Sequence, residues 1–161
     1  MTLKANRQAA TQSLSKKRLR LWLRLLKSTR RVEDELRRRL RAEFASTLPR
    51  FDVMSALSRA PDGMKMKEIS KRLQVSNGNI TGIVDKLNEE GLVLRVTPPH
   101  DRRSQIIRLT TKGHQEFARN AEAHSQWIDE IFGRLDEDDV DGMIRRLDHL
   151  TEKLEAQGKG D

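Results

Sequence analysis

Residues 65–113 read KMKEISKRLQVSNGNITGIVDKLNEEGLVLRVTPPHDRRSQIIRLTTKG, and the order of parts within them decides the fold. A short amphipathic run, 67–73, sets Ile69 and Leu73 four residues apart on one helical face. Gln74-Val75-Ser76 interrupts it. A second amphipathic run, 77–90, places Ile80, Ile83, Val84 and Leu87 on an inward stripe, and Gly91 is the residue type that ends helices. Two β-type runs follow, 92–97 and 105–109, around a Pro-Pro-His-Asp-Arg-Arg-Ser tip at 98–104. Helix, turn, helix, β-hairpin is the order of a winged helix-turn-helix, which sets one helix in a DNA groove. The predicted fold class is mainly α, with a winged helix-turn-helix carried between N- and C-terminal dimerisation helices.

The outward face of the second helix carries Asn77, Gly78, Asn79, Thr81, Gly82, Asp85 and Lys86. Glycine in a helix costs roughly 1 kcal/mol relative to Ala. Two on one outer face make sense where another surface comes very close. Asn pairs bidentately with adenine, so Asn77, Asn79 and Thr81 are candidate base readers, with Lys86 on phosphate. The bland alternative is an ordinary polar helix face. Ser76 is placed to cap the helix start. In the tip, Arg102 and Arg103 are candidates for phosphate or a narrow minor groove. Asp101 orients an arginine by a charge-assisted hydrogen bond, or serves as a turn residue bonded to its own backbone.

Outward from this stretch, the pattern is helical on both sides. Residues 1–15 are polar and mixed, expected as an N-terminal arm. From Lys16 to Thr47 an apolar stripe recurs at three- and four-residue steps: Trp22, Leu25, Leu26, Thr29, Val32, Leu36, Leu40 and Phe44. A helix of roughly 30 residues is about 45 Å long, more than one small lobe can cover, so its ends are expected on a second chain. Pro49 ends that helix or starts the next. Phe51, Val53, Met54 and Leu57 mark a short helix, Ala60-Pro61-Asp62-Gly63 a turn, and Met64-Lys65-Met66 a short strand. Thr110 or Thr111 caps a helix reaching Phe132. Asp136 to Asp139 open a last helix, with Val140, Met143, Ile144, Leu147, Leu150 and Leu154 expected inside. The domain reading is an arm at 1–15, a helical dimerisation region at 16–48 and 112–157, and a DNA-binding lobe at 49–111.

Charge agrees with a polyanionic partner. Residues 1–50 hold 15 Lys and Arg against 4 Asp and Glu, whereas residues 111–161 hold 7 against 13. The net charge is +8, concentrated at the N-terminal helix and the winged segment. There is no cysteine, which removes disulfides, thiol nucleophiles and thiol redox sensing. No apolar run approaches the ~20 residues of a membrane span, and no secretory leader opens the chain, so no membrane partner is expected and the cytoplasm is the expected location. The four histidines lack paired spacing. Residues 137–148 fall near calcium-loop spacing, but a helix start explains the same acids. No cofactor, metal site or catalytic residue is predicted, and the chain is not read as an enzyme.

Ser76, Thr81, Val84, Leu87, Gly91-Leu92-Val93, Arg95, Pro99, Asp101-Arg102-Arg103, Leu109-Thr110 and Gly113 together resemble the multiple antibiotic resistance regulator (MarR) family. The likeness covers about residues 16–155. It implies a homodimeric transcription regulator, usually a repressor released by a small molecule. Residues 76–90 would read the major groove and 98–104 enter the minor groove. The ligand pocket would lie between the dimer helices and the lobe. The first helix and 47–57 are also similar to a narrower group that controls aromatic acid catabolism and senses aromatic acids or their coenzyme A thioesters. That likeness makes Trp22, Arg24, Arg31, Phe51 and Met54 candidate ligand residues, arginine for phosphates and the apolar three for an aryl group. Their other reading is dimer or lobe core for the apolar three, and DNA phosphate or solvent for the arginines. The expected partners are double-stranded DNA with a pseudo-palindromic operator, a second copy of the chain, and an aromatic ligand or aryl-coenzyme A. The rival reading is a basic architectural protein that binds DNA without sequence choice.

Overall fold

A computed structural model of the chain describes residues 2–97 and 105–158, with side chains over 13–97 and 105–157. In chain order the elements are α1 Thr2–Phe44, α2 Leu48–Ser58, β1 Met64–Lys65, α3 Met66–Leu73, α4 Asn77–Glu89, β2 Val93–Val96, β3 Ile106–Leu109, α5 Thr111–Phe132 and α6 Glu137–Gly158. This is the mainly α, winged helix-turn-helix order that the sequence predicts. The expected wing tip, 98–104, lies outside the described residues. The chain divides into two units, residues 1–123 and 124–161.

In the first unit, α1 begins at Thr2, so the stretch expected as a separate arm forms helical turns. No Pro or Gly interrupts it, and its Ala, Gln, Lys and Arg are good helix formers. The missing apolar stripe removed the packing signal there, not the helix. Among the described side chains of α1, Leu36 and Leu40 near its C-terminal end are buried, whereas Leu19, Leu21, Trp22 and Leu23 are 54–60% exposed. Ala45 leaves the helix in the left-handed region at φ 47°, and Ser46 N–H bonds back to Leu40 O at 3.1 Å. Pro49 starts the next helix rather than ending the first: Thr47 caps α2, with Pro in its first turn.

The lobe core is built where the apolar steps of α2, α3 and α4 meet the sheet. Val53, Met54, Leu57, Ile69, Ile80, Val84, Leu87, Leu92 and Ile107 are all at most 1–2% exposed. The sheet order is β1-β3-β2, antiparallel throughout, with Met64 opposite Ile107 and Val93 opposite Leu109. Two glycines are required by contact. Gly63 has φ 85°, and a Cβ there would sit 2.6 Å from Ile107 O. At Gly113 a Cβ would sit 2.0 Å from Leu92 O, so the start of α5 can approach the β2 backbone only without a side chain. Thr110 is the cap of α5: its Oγ1 accepts from Gly113 N–H at 2.9 Å and donates to Gly91 O at 2.7 Å.

In the second unit, Asp136 Oδ1 accepts from Asp139 N–H at 2.8 Å, and acidic residues fill the first turn of α6. The near-calcium spacing at 137–148 is continuous helix, not a loop. One expectation changes here. Val140, Met143, Ile144, Leu147, Leu150 and Leu154 were expected inside, yet they are 36–59% exposed. They lie on α6 at helical spacing, exposed among the described residues. Such a row on a water-facing helix marks an interaction surface. Among the described residues, no helix is long and apolar enough to cross a membrane.

Candidate nucleic-acid interface

The two helices of the motif are joined by a turn whose geometry is over-determined. Gln74 closes α3 in the left-handed region, φ 53° and ψ 38°, with its N–H on Ser70 O. Ser70 then holds the far side of the turn, accepting from Val75 N–H at 3.2 Å through its carbonyl and donating through Oγ to Val75 O at 2.5 Å. Ile69 and Ile80, both at most 1% exposed, tie the helices to the core. α4 is therefore presented as a rigid rod with its polar face outward.

On that face Ser76, Asn77, Gly78, Asn79, Thr81, Gly82 and Lys86 are exposed. A Cβ at Gly78 or Gly82 would meet no atom within 4 Å, so neither glycine is required by packing within the chain. Their helix cost has no internal explanation and fits a face that something else approaches. Ser76 occupies the N-cap position, but its side chain makes no capping bond; the expected cap is corrected, since only its carbonyl serves, accepting from Ile80 N–H at 3.2 Å. The Ser76 side chain is exposed. Thr81 Oγ1 donates to Asn77 O at 2.9 Å, which turns that hydroxyl onto its own helix. Asp85 departs from the outward set: it is half-buried and ion-paired with Arg95 on β2, locking the root of the hairpin to α4. Asp101, Arg102 and Arg103 lie outside the described residues.

The far end of α4 is anchored by charge. Arg50 of α2 grips Glu90 with both limbs of its guanidinium, Nη1 to Oε1 at 2.6 Å. This hydrogen-bonded pairing, with Lys112 and Lys86 nearby, holds the Glu90 carboxyl below the ordinary range. Lys112 Nζ donates to Glu90 O at 2.8 Å, fixing the start of α5 to the same point. Along α1, Glu35 binds Arg38 and Arg39 and is drawn down to about 2. Part of the basic stripe on α1 is thus neutralised internally.

The five candidate ligand residues do not form one site within the chain. Trp22, Arg24 and Arg31 are exposed on α1. Met54 is 1% exposed in the lobe core, and Phe51 is buried against Phe117 with ring centroids 5.5 Å apart. Burial fills the space that an aryl group would need at those two. A groove in this unit is lined by other residues, among them Arg37, Arg41 and Arg50, which the apolar stripe of α1 gives no reason to single out.

The sequence profile of the MarR family matches residues 46–105. A MarR family transcriptional regulator from Silicibacter pomeroyi superposes with a TM-score of 0.74 at 31% identity, over 87% of this chain and 96% of that one. The chain belongs to the MarR family. Membership makes it a dimeric, ligand-responsive, DNA-binding transcription regulator and not an enzyme. The HTH-type transcriptional regulator YkoM of Bacillus subtilis is 34% identical over 58% of this MarR chain, which spans only 60% of YkoM. The homoprotocatechuate degradative operon repressor of Escherichia coli is 28% identical over 70% of this chain and 72% of its own length.

Proposed function

We propose that this regulator represses an operon for the breakdown of an aromatic compound, in the cytoplasm, and is released by an aromatic acid or its coenzyme A thioester. The observation that carries the reading is the bare polar face of α4, Asn77 to Lys86, with its two glycines that nothing in the chain requires. Asn77, Asn79 and Thr81 read bases; the Ser76 hydroxyl and Lys86 hold phosphate; Arg102 and Arg103 enter the minor groove beside Asp101. A two-fold dimer presents two such helices, so the operator is pseudo-palindromic with half-sites about one helical turn apart. The aromatic part is supported by the likeness to the homoprotocatechuate degradative operon repressor and by the arginine-rich first helix. Of the candidate ligand residues, Trp22, Arg24 and Arg31 stay accessible to a phosphate-bearing thioester, whereas Phe51 and Met54 serve the core.

Release requires that the ligand prefer one spacing of the reading helices over the other; equal affinity for both shifts nothing. The test is fluorescence anisotropy of the chain on a duplex from its own promoter, titrated with cinnamoyl-coenzyme A and with free cinnamate. The thioester releases the duplex and the free acid does so less. No release by either would sink the aromatic reading.

A further inference from the structure

The outward face of α4 exposes Asn77, Gly78, Asn79, Thr81, Gly82 and Lys86, and among these Thr81 alone carries a methyl group. Its hydroxyl is committed: Oγ1 donates to Asn77 O at 2.9 Å, one turn back on the same helix. A β-branched side chain is stiff and holds its two γ atoms in separate staggered positions. With Oγ1 turned onto the helix, the methyl is the group left to meet a partner. Residues three and four positions away are the surface neighbours of a helical side chain. For Thr81 these are Asn77, Gly78, Val84 and Asp85. Gly78 has no side chain, Val84 is buried in the lobe core, and Asp85 is ion-paired with Arg95 on β2. Of the four, Asn77 is the one free to stand beside the methyl.

The major groove offers one match for such a group. Thymine presents an O4 acceptor and a C5 methyl there, and no other base edge carries a methyl. A threonine hydroxyl bonds to donors and acceptors alike and chooses poorly between bases, whereas a methyl contact favours thymine. We propose that Thr81 is a thymine-selecting contact: its methyl packs on the C5 methyl of one thymine in each half-site, and its hydroxyl takes no part in base choice. Thr81 then works differently from Asn77 and Asn79, whose amides read by hydrogen bonding. The inference rests on α4 reading the major groove, and it names the base and the chemical group selected at this position.

The test is fluorescence anisotropy of the full chain on a duplex from its own promoter, made once with thymine and once with deoxyuridine at every thymine position. Deoxyuridine lacks only the C5 methyl. Three proteins are compared: wild type, Thr81→Val, which keeps a methyl and loses the hydroxyl, and Thr81→Ser, which keeps the hydroxyl and loses the methyl. Circular dichroism melts establish that each variant is folded. One buried methyl is worth about fourfold in affinity, hence about fifteenfold for a dimer on two half-sites. Wild type and Thr81→Val are expected to bind the thymine duplex alike and both to lose about fifteenfold on deoxyuridine. Thr81→Ser is expected to be weaker by that factor on thymine and to gain or lose little on deoxyuridine. Thr81→Val as weak as Thr81→Ser on thymine, wild type equal within twofold on the two duplexes, or Thr81→Ser as sensitive to deoxyuridine as wild type overturns the proposal. A scrambled duplex separates this claim from the one beneath it. If wild type prefers its promoter to scrambled DNA yet ignores the deoxyuridine exchange, the methyl contact falls and base reading stands. If wild type binds promoter and scrambled DNA equally, both fall.

Discussion

Arg50 and Glu90 are forty residues apart in sequence and joined limb to limb in space, Nη1 to Oε1 at 2.6 Å. Arg50 sits in the first turn of α2 and Glu90 caps the end of α4, so the pair sets α4 against the helix that follows α1. The contact ties the first turn of α2 to the C-terminal end of α4.

Removing the pair tests its mechanical and its titrating roles together. The Glu90 side chain is 45% exposed, so solvent screening limits the loss in Glu90→Gln to about 0.5–1 kcal/mol. The Glu90 carboxyl is held below its ordinary range in the folded chain, so its contribution is present above the unfolded value, about 4.3, and is lost as pH falls through the lower folded value. Urea melts at pH 7 show the deficit of Glu90→Gln, and melts below pH 4 show it shrinking.

The close approach at Gly113 has no room for a methyl group. In Gly113→Ala the Cβ meets Leu92 O, a backbone atom that moves only with β2. The expected cost is about 1–3 kcal/mol, the range of an overpacked site, read as a lower midpoint in thermal or urea unfolding.

Asp85 and Arg95 hold the hairpin root to α4, the proposed reading helix. Asp85→Asn leaves the half-exposed pair uncharged on one side, at little cost in stability. The expected effect appears on DNA: promoter affinity falls severalfold by electrophoretic mobility shift while the melting temperature stays within a few degrees.

Leu147 and Leu154 on α6 are exposed in the single chain, at 44% and 59%. A second copy covering them makes Leu147→Glu a dimer-breaking change that spares the fold of the lobe. Sedimentation velocity should show the wild type as a dimer and Leu147→Glu shifted to monomer, with circular dichroism retained.

Local periodicity made most of the architecture legible. The four-residue step from Ile69 to Leu73, the stripe from Ile80 to Leu87 and the alternation flanking the tip each predict an element that is present. Contacts between distant residues were not legible. Nothing in the neighbourhood of Arg50 points forty residues on to Glu90, and nothing at Gly113 announces the Leu92 carbonyl. Phe51 and Met54 read equally well as pocket wall or as core, because an apolar side chain in sequence does not say which neighbour fills the space beside it; Phe117 does so for Phe51. Burial on α6 misled in the opposite direction, since a stripe predicts a covered face without saying which chain covers it. The α4 face was the most legible part of the site, because two glycines at the cost of helix stability are visible without coordinates.

In the proposed function, α4 reads base sequence with Asn79. The most direct measurement compares wild type and Asn79→Ala on a promoter duplex and on a scrambled duplex of the same length, at one fixed salt concentration. The prediction is that wild type prefers its promoter by about a thousandfold or more. Asn79→Ala should lose about 1–3 kcal/mol on the promoter alone, leaving scrambled DNA unchanged. Equal affinity of the wild type for both duplexes, or an equal loss on both in Asn79→Ala, would contradict it.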